Sequence, residues 1–389
     1  MIKAGSGFSQ KINPIDAANE ATSNAMNSAG INKADIVLVF CTFPHRSQYK
    51  EILNIVSQIS KTQNIFGCSA IGVLSNFGEE EGEPGVVVLI IATDEFQGYT
   101  FLSDNIEASG SRAGEDIASK IKSKNANSKK GLLAILPDPF FINPEFLIKG
   151  IKNKLDNIQM VGASASEEFS FNETFVFYKD NVFSKATSGI YVYGDLKYDI
   201  GITQGCMPLG SMCKITKANQ NIIYELDGKP ALEVLKENIP SYLLEDPAKI
   251  PYTLFLGFHP NPEQNKFCEH EYLVRNIIGI DPNTGVIGAS QLVKEGETIC
   301  FTIRNPDMAR EDLKRMLQSL KQRNSEQNDI KFGIYFNCCG RGSSLYGHKG
   351  IDTAYITNEL GDFPFVGFFG NSEIAPLNNT NHLFTYTGV

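Results

Sequence analysis

Asn64-Ile65-Phe66-Gly67-Cys68-Ser69-Ala70-Ile71-Gly72, Gln159-Met160-Val161-Gly162-Ala163-Ser164-Ala165-Ser166-Glu167 and Pro364-Phe365-Val366-Gly367-Phe368-Phe369-Gly370-Asn371-Ser372-Glu373 are three versions of one phrase. Each is a short apolar strand running into glycine and small polar residues. Each follows another buried-looking strand and a helical stretch, so the chain repeats a strand-helix-strand unit. This predicts an α/β fold with mixed sheets flanked by helices. Repeated strand ends of this kind converge their loops on one cleft, which points to ligand binding before any catalytic motif does.

Working outward, the first helix is marked by Asn13 as cap, Pro14 in its first turn and Gly30 at its close. Strands are expected at Ala34 to Cys41, Asn64 to Cys68, Val86 to Ala92 and Phe96 to Leu102, with a helix from Ser47 to Ser60. The acidic run Glu79-Glu80-Glu81-Gly82-Glu83 reads as a solvated hairpin tip, with a metal site as a remote alternative. The pattern restarts with helices at Ser111 to Lys122 and Pro144 to Leu155 around a strand at Leu132 to Leu136, then antiparallel returns at Phe175 to Tyr178 and Ser188 to Tyr193. Around Cys206 to Lys217 the chain leaves this pattern, placing a boundary between residues 1–215 and 216–389. The third phrase is expected to complete the C-terminal module.

The 389 residues suffice for two or three domains, and 42% hydrophobic with 20% charged residues is ordinary for a protein with sizeable cores. A net charge of -9 argues against a general nucleic-acid surface. The start lacks the apolar core of a signal peptide, and the longest apolar run, Val86 to Ala92, is too short to cross a bilayer, so no membrane insertion is expected. Eight cysteines without CxxC or zinc-finger spacing suggest a reducing cytoplasm.

Enzyme motifs are absent or broken. Gly67 to Gly72 misses the G-x-S-x-G elbow by one residue, and no base can be named for a Cys68 nucleophile. His348 interrupts the G-K of a phosphate loop at Gly342 to Lys349. The densest polar cluster, Asn337-Cys338-Cys339-Gly340-Arg341-Gly342-Ser343-Ser344, follows an apolar strand, where α/β sheets present binding loops. Arg341 offers a planar fork for a carboxylate, or forms a structural ion pair. Glu373 ends the partner strand, so the two can hold a zwitterion or each other.

The blocks Asp35 to Phe40, Gly67 to Gly72, Gly162 to Ala165, Arg275 to Pro282, Glu295-Gly296, Asn337 to Gly342 and Gly367 to Pro376 resemble the FIST family of signal-input proteins, with N-terminal and C-terminal FIST modules in tandem. Val73 stands where that family usually has an acid after glycine, and Ser372 where it usually has glycine, which implies a lost polar ligand contact in the N-terminal half. The resemblance implies a non-enzymatic sensor of small ligands, amino acids among them, acting on a separate partner. A stand-alone subgroup with similar architecture binds haem, senses nitric oxide and regulates a histidine kinase or cyclic-di-GMP turnover. For that version His348 is the expected axial ligand and metal-binding residue, with Arg341, Cys338, Tyr346, Glu373 and Ser69 lining the site and His259 as the next axial candidate. The alternatives are a sensor holding a zwitterion through Arg341 and Glu373, and a cysteine-dependent enzyme using Cys68 or Cys338.

Overall fold

The structure, a computed structural model, describes residues 1–124, 131–168, 171–240, 243, 250–261, 271–323 and 329–389. The chain forms two compact units that are not consecutive in sequence. Unit 1 comprises Met1–Ile202, Leu313–Leu383 and Gly388–Val389; unit 2 comprises Thr203–Asp312 and Phe384–Thr387. No helix among the described residues is long and apolar enough to cross a membrane.

The opening helix, Pro14–Ala29, is built as its sequence signals require. The Asn13 side chain accepts from the Ile15 and Asp16 backbone N–H groups at 2.9 and 3.1 Å, and Gly30 closes the helix in the left-handed region at φ 62°.

All three phrases lie in unit 1, the third included, although its sequence position suggested the C-terminal half. Each closes a parallel strand pair. The first repeat pairs Ile36–Thr42 with Ile65–Ala70 across helix Tyr49–Ser60. The second pairs Leu132–Pro137 with Gln159–Ala163 across helix Pro144–Lys152. The third pairs Gly333–Cys338 with Phe365–Gly370 across helix Ile351–Leu360. The glycine of each phrase occupies the same register position, opposite Val39, Ile135 and Tyr335 in turn. A Cβ there would sit 1.8 Å from the Val39 carbonyl oxygen and 2.0 Å from those of Ile135 and Tyr335. The glycine is therefore required by backbone approach, and its recurrence is a packing rule of the repeat.

No repeat completes its own sheet. The strand after each phrase crosses to another repeat and pairs antiparallel with that repeat's closing strand. Gly72–Ser75, from the first, pairs with the third (Gly367 opposite Leu74). Glu373–Leu377, from the third, pairs with the second (Gly162 opposite Ile374). Val176–Tyr178, from the second, pairs with the first (Gly67 opposite Phe177). The exchange closes a cycle.

Strand alternation then sorts the side chains into two sets. Phe40, Cys68 and Val73, Leu136, Ala163 and Val176, and Phe336, Val366 and Phe368 share one core cluster. The opposite faces pack under the helices in separate clusters, which take Val39, Ile135 and Tyr335 respectively. The apolar strands thus read as continuous runs because both faces are covered.

Unit 2 holds a seven-stranded antiparallel sheet whose first strand is the long Cys206–Asn219. The chain passes from unit 1 to unit 2 at Ile202 and Thr203, just before this strand, and the segment Cys206 to Lys217 lies within it. Helix Ala231–Asn238 supplies Val234 and Leu235 to its apolar cluster.

Candidate functional site

The three phrase ends meet and are tied to one another. Ser69 Oγ donates to the Ser166 carbonyl at 3.4 Å and accepts from Phe175 N–H at 3.0 Å. Ser166 Oγ accepts from Ile71 N–H at 2.9 Å and donates to the Phe369 carbonyl. Ser164 and Ser372 share a hydroxyl–hydroxyl bond of 2.9 Å. Every one of these serines is buried. The small polar residues after each glycine therefore link one repeat to the next, at the carboxyl ends of the parallel strands where α/β folds place ligands.

Glu373 is the exception to the pseudo-equivalence of the repeats. It pairs opposite Ala163, as Val73 pairs opposite Phe368 and Val176 opposite Cys68. Val73, Val176 and all three facing residues belong to the shared core, and the neighbouring Ile374 faces the helices. Strand alternation therefore puts the Glu373 carboxylate on the core face, with 0% exposure, where two repeats carry valine. A carboxylate where the other two repeats pack valine departs from the apolar rule of the repeat, which singles the position out.

Arg341 is fully buried, and its partner is Asp352. Nε and Nη2 donate to the Asp352 carboxylate at 3.2 and 3.3 Å, and Nη2 also donates to the Tyr346 hydroxyl at 2.7 Å. Asp352 further accepts from the Tyr335 hydroxyl at 3.0 Å and from Asn337 Nδ2 at 2.9 Å. Burial, with the Asp352 charge beside it, pushes the Tyr335 hydroxyl well above its ordinary value. This network sits under helix Ile351–Leu360 and fixes the loop after the third opening strand. Arg341 thus stands in the structural ion pair, and Nη1 alone has no hydrogen-bond partner among the described residues.

The acidic run is not a solvated tip. Glu79 and Glu80 are each 8% exposed and, with Glu81, form the outer strand Gly78–Glu81 of the donated hairpin. Glu81 accepts from Ser343 N–H at 2.9 Å and Ser343 Oγ at 3.0 Å, while Glu80 takes the Lys349 ammonium. The hairpin crosses to the third sheet, which lays this strand along the loop after Cys338.

His348 is exposed, between Gly347 and Lys349. Of the other residues expected around haem, Cys338 is buried at a strand end, the Tyr346 hydroxyl accepts from Arg341, and Ser69 is bonded to Ser166. Among the described residues no group of three or more metal-ligating side chains is brought together. His259 is held at the Asn261 backbone, and His270 lies outside the described residues. Burial lowers the affinity of His45 for a proton and pushes the Cys68 thiol well above its ordinary value. A reactive thiol needs the opposite shift.

Comparison with known proteins gives relatives along the whole chain. An uncharacterized protein of Mycobacterium tuberculosis is 26% identical over 386 residues, covering 99% of this chain and 98% of that one. One from Mycobacterium bovis is 25% identical over 99% and 97%. One from Methanocaldococcus jannaschii is 24% identical over 85% of this chain and 64% of its own. Among solved structures, a cyanuric acid hydrolase from A. caulinodans aligns with 50% of this chain and 71% of its own at 7% identity and a TM-score of 0.32, too low for a shared fold to follow. The FIST N domain model matches residues 35–229 and the FIST C domain model residues 231–376, so the chain belongs to the FIST family.

Proposed function

We propose that this protein is a reversible small-ligand sensor that binds at the converging strand ends of unit 1 without turnover and passes its state to a separate signalling partner. FIST domains are associated with signal-transduction sensing, and they bind small ligands in signalling. The observation that carries the reading is Glu373, a carboxylate on the core face of a site whose two equivalents are valine. Such a group favours a ligand bringing a positive charge or a donor, an amino acid or similar amine-bearing molecule. Because Arg341 is bonded to Asp352, the carboxylate end of a zwitterion would meet Nη1 alone, or the strand-end hydroxyls.

A thermal-shift screen with amino acids and simple amines tests this, since a ligand of the folded state raises Tm by mass action. Glu373→Gln should remove the shift while leaving the folded far-UV spectrum. No shift with any amine-bearing compound would remove the reading.

The finer expectation of a haem-based nitric-oxide sensor, with a histidine kinase or cyclic-di-GMP enzyme as partner, rests on an exposed His348. Titration with haemin decides it. A Soret band lost in His348→Ala supports haem, and no band sets it aside. For the cysteine-enzyme alternative, burial of Cys68 and Cys338 predicts slow labelling by iodoacetamide at neutral pH.

A further inference from the structure

Four carboxylates lie around the loop that follows Cys338, and three have partners: Asp352 has Arg341, Glu80 has Lys349, and Glu81 has Ser343. The fourth, Glu79, has no cation or hydroxyl on it among the described residues; its buried oxygens make no well-formed hydrogen bond, with only the Gly350 backbone N–H and the Glu81 carboxyl in reach. Arg341 and Lys349, the two cations of the cluster, are already engaged. We propose that strand Gly78–Glu81 and the segment Ser343 to Gly350, which opens with the helical turn Ser343–Tyr346, form a proton-linked latch, closed while Glu79 holds a proton and loosened when Glu79 ionises.

The geometry sets what faces Glu79. From its own strand comes Glu81, whose carboxyl lies within reach of the Glu79 carboxyl, while Glu80, next along the strand, points to the opposite face. From the helix that starts after Gly350 comes Asp352, which also carries the Arg341, Tyr335 and Asn337 bonds. From the loop come Lys349, committed to Glu80, and the Gly350 backbone N–H. Ionising Glu79 would add an uncompensated buried charge beside Asp352 and Glu81. Burial first, then those two charges, pushes its carboxyl up to about 8, with the Gly350 N–H acting the other way.

The sign follows from linkage. The closed form keeps a proton that the open form, with an ordinary carboxyl near 4.5, gives up. Closure is therefore most stable below about pH 4.5. It weakens by up to about tenfold per pH unit as pH rises toward about 8, and levels off above that. A sensor needs an element with two states of similar free energy, and this loop leads directly from a strand end of the ligand site. The latch is independent of which ligand binds there.

Amide hydrogen exchange of residues 343–350 in the full-length protein, corrected for intrinsic rates, tests it. Between pH 5.5 and 7.5 protection should fall on the order of tenfold or more, and Glu79→Gln should flatten that slope. Glu80→Gln, which removes the Lys349 partner, should lower protection at both pH values and keep the slope. A flat profile in the unmodified protein overturns the proposal, whether or not Glu79→Gln folds. So does a Glu79→Gln protein with the same slope.

Discussion

The first and third repeats share one backbone plan and hold their strand-end loops by opposite means. After Thr42 the loop is an aromatic stack: Phe43 lies 4.7 Å from Phe171 and 6.4 Å from Phe175, and the Arg46 guanidinium covers Phe171 at 4.0 Å. After Cys338 the loop is held by charge, through Arg341–Asp352 inside and Glu80–Lys349 and Glu81–Ser343 outside. Apolar contacts are non-directional and insensitive to pH. Charged contacts are directional and strongly coupled to protonation. The scaffold thus holds one strand end chiefly by aromatic contacts, with His45 buried among them, and the other by charge, and of these two repeats only the third also supplies an acid, Glu373, to the shared core.

The sharpest way to break this contrast is to strip Asp352 from the third loop. Asp352→Ala leaves Arg341 buried without its carboxylate and should cost about 3–5 kcal/mol in chemical denaturation. An Arg341→Met, Asp352→Leu double variant should recover much of the loss. If the single variant costs under about 1 kcal/mol, the charged network does not hold the loop.

A second test sharpens what the repeats share. Gly67→Ala, Gly162→Ala and Gly367→Ala each drive a Cβ into a backbone carbonyl. Each should lower stability by about 1–3 kcal/mol or more, with similar values at all three sites. One tolerated substitution would show that the repeats are not equivalent there.

The smallest expected effect is on the aromatic side. Arg46→Ala removes the guanidinium from Phe43 and Phe171 and should cost about 0.5–1 kcal/mol, with no change across pH 5 to 8. A pH-dependent loss would blur the distinction between the two loops.

Much of this organisation was legible in the chain. The Asn13–Pro14–Gly30 signals gave the first helix, and the recurring glycine marked the closing strand of every repeat, because both are local consequences of capping and close approach. What stayed hidden was non-local. Nothing near Glu79 shows that its hairpin crosses to the third sheet, so an acidic run that looks solvated is in fact buried against Ser343 and Lys349. Arg341 pairs with Asp352, an acid that the sequence did not single out beside Glu373. The register that turns Glu373 onto the core face becomes visible only once Ala163 is known to sit opposite.

The circular trading of hairpins also bears on how the chain is made. Gly72–Ser75 emerges early from the ribosome, yet the strand it must pair with, Phe365–Gly370, is among the last to appear. One edge of the early hairpin waits through most of synthesis, a standing invitation to wrong partners and to chaperones that shield it. The seven strands of unit 2 run only from Cys206 to Arg304, so that sheet has every partner in hand long before the exchange among the three repeats of unit 1 can close.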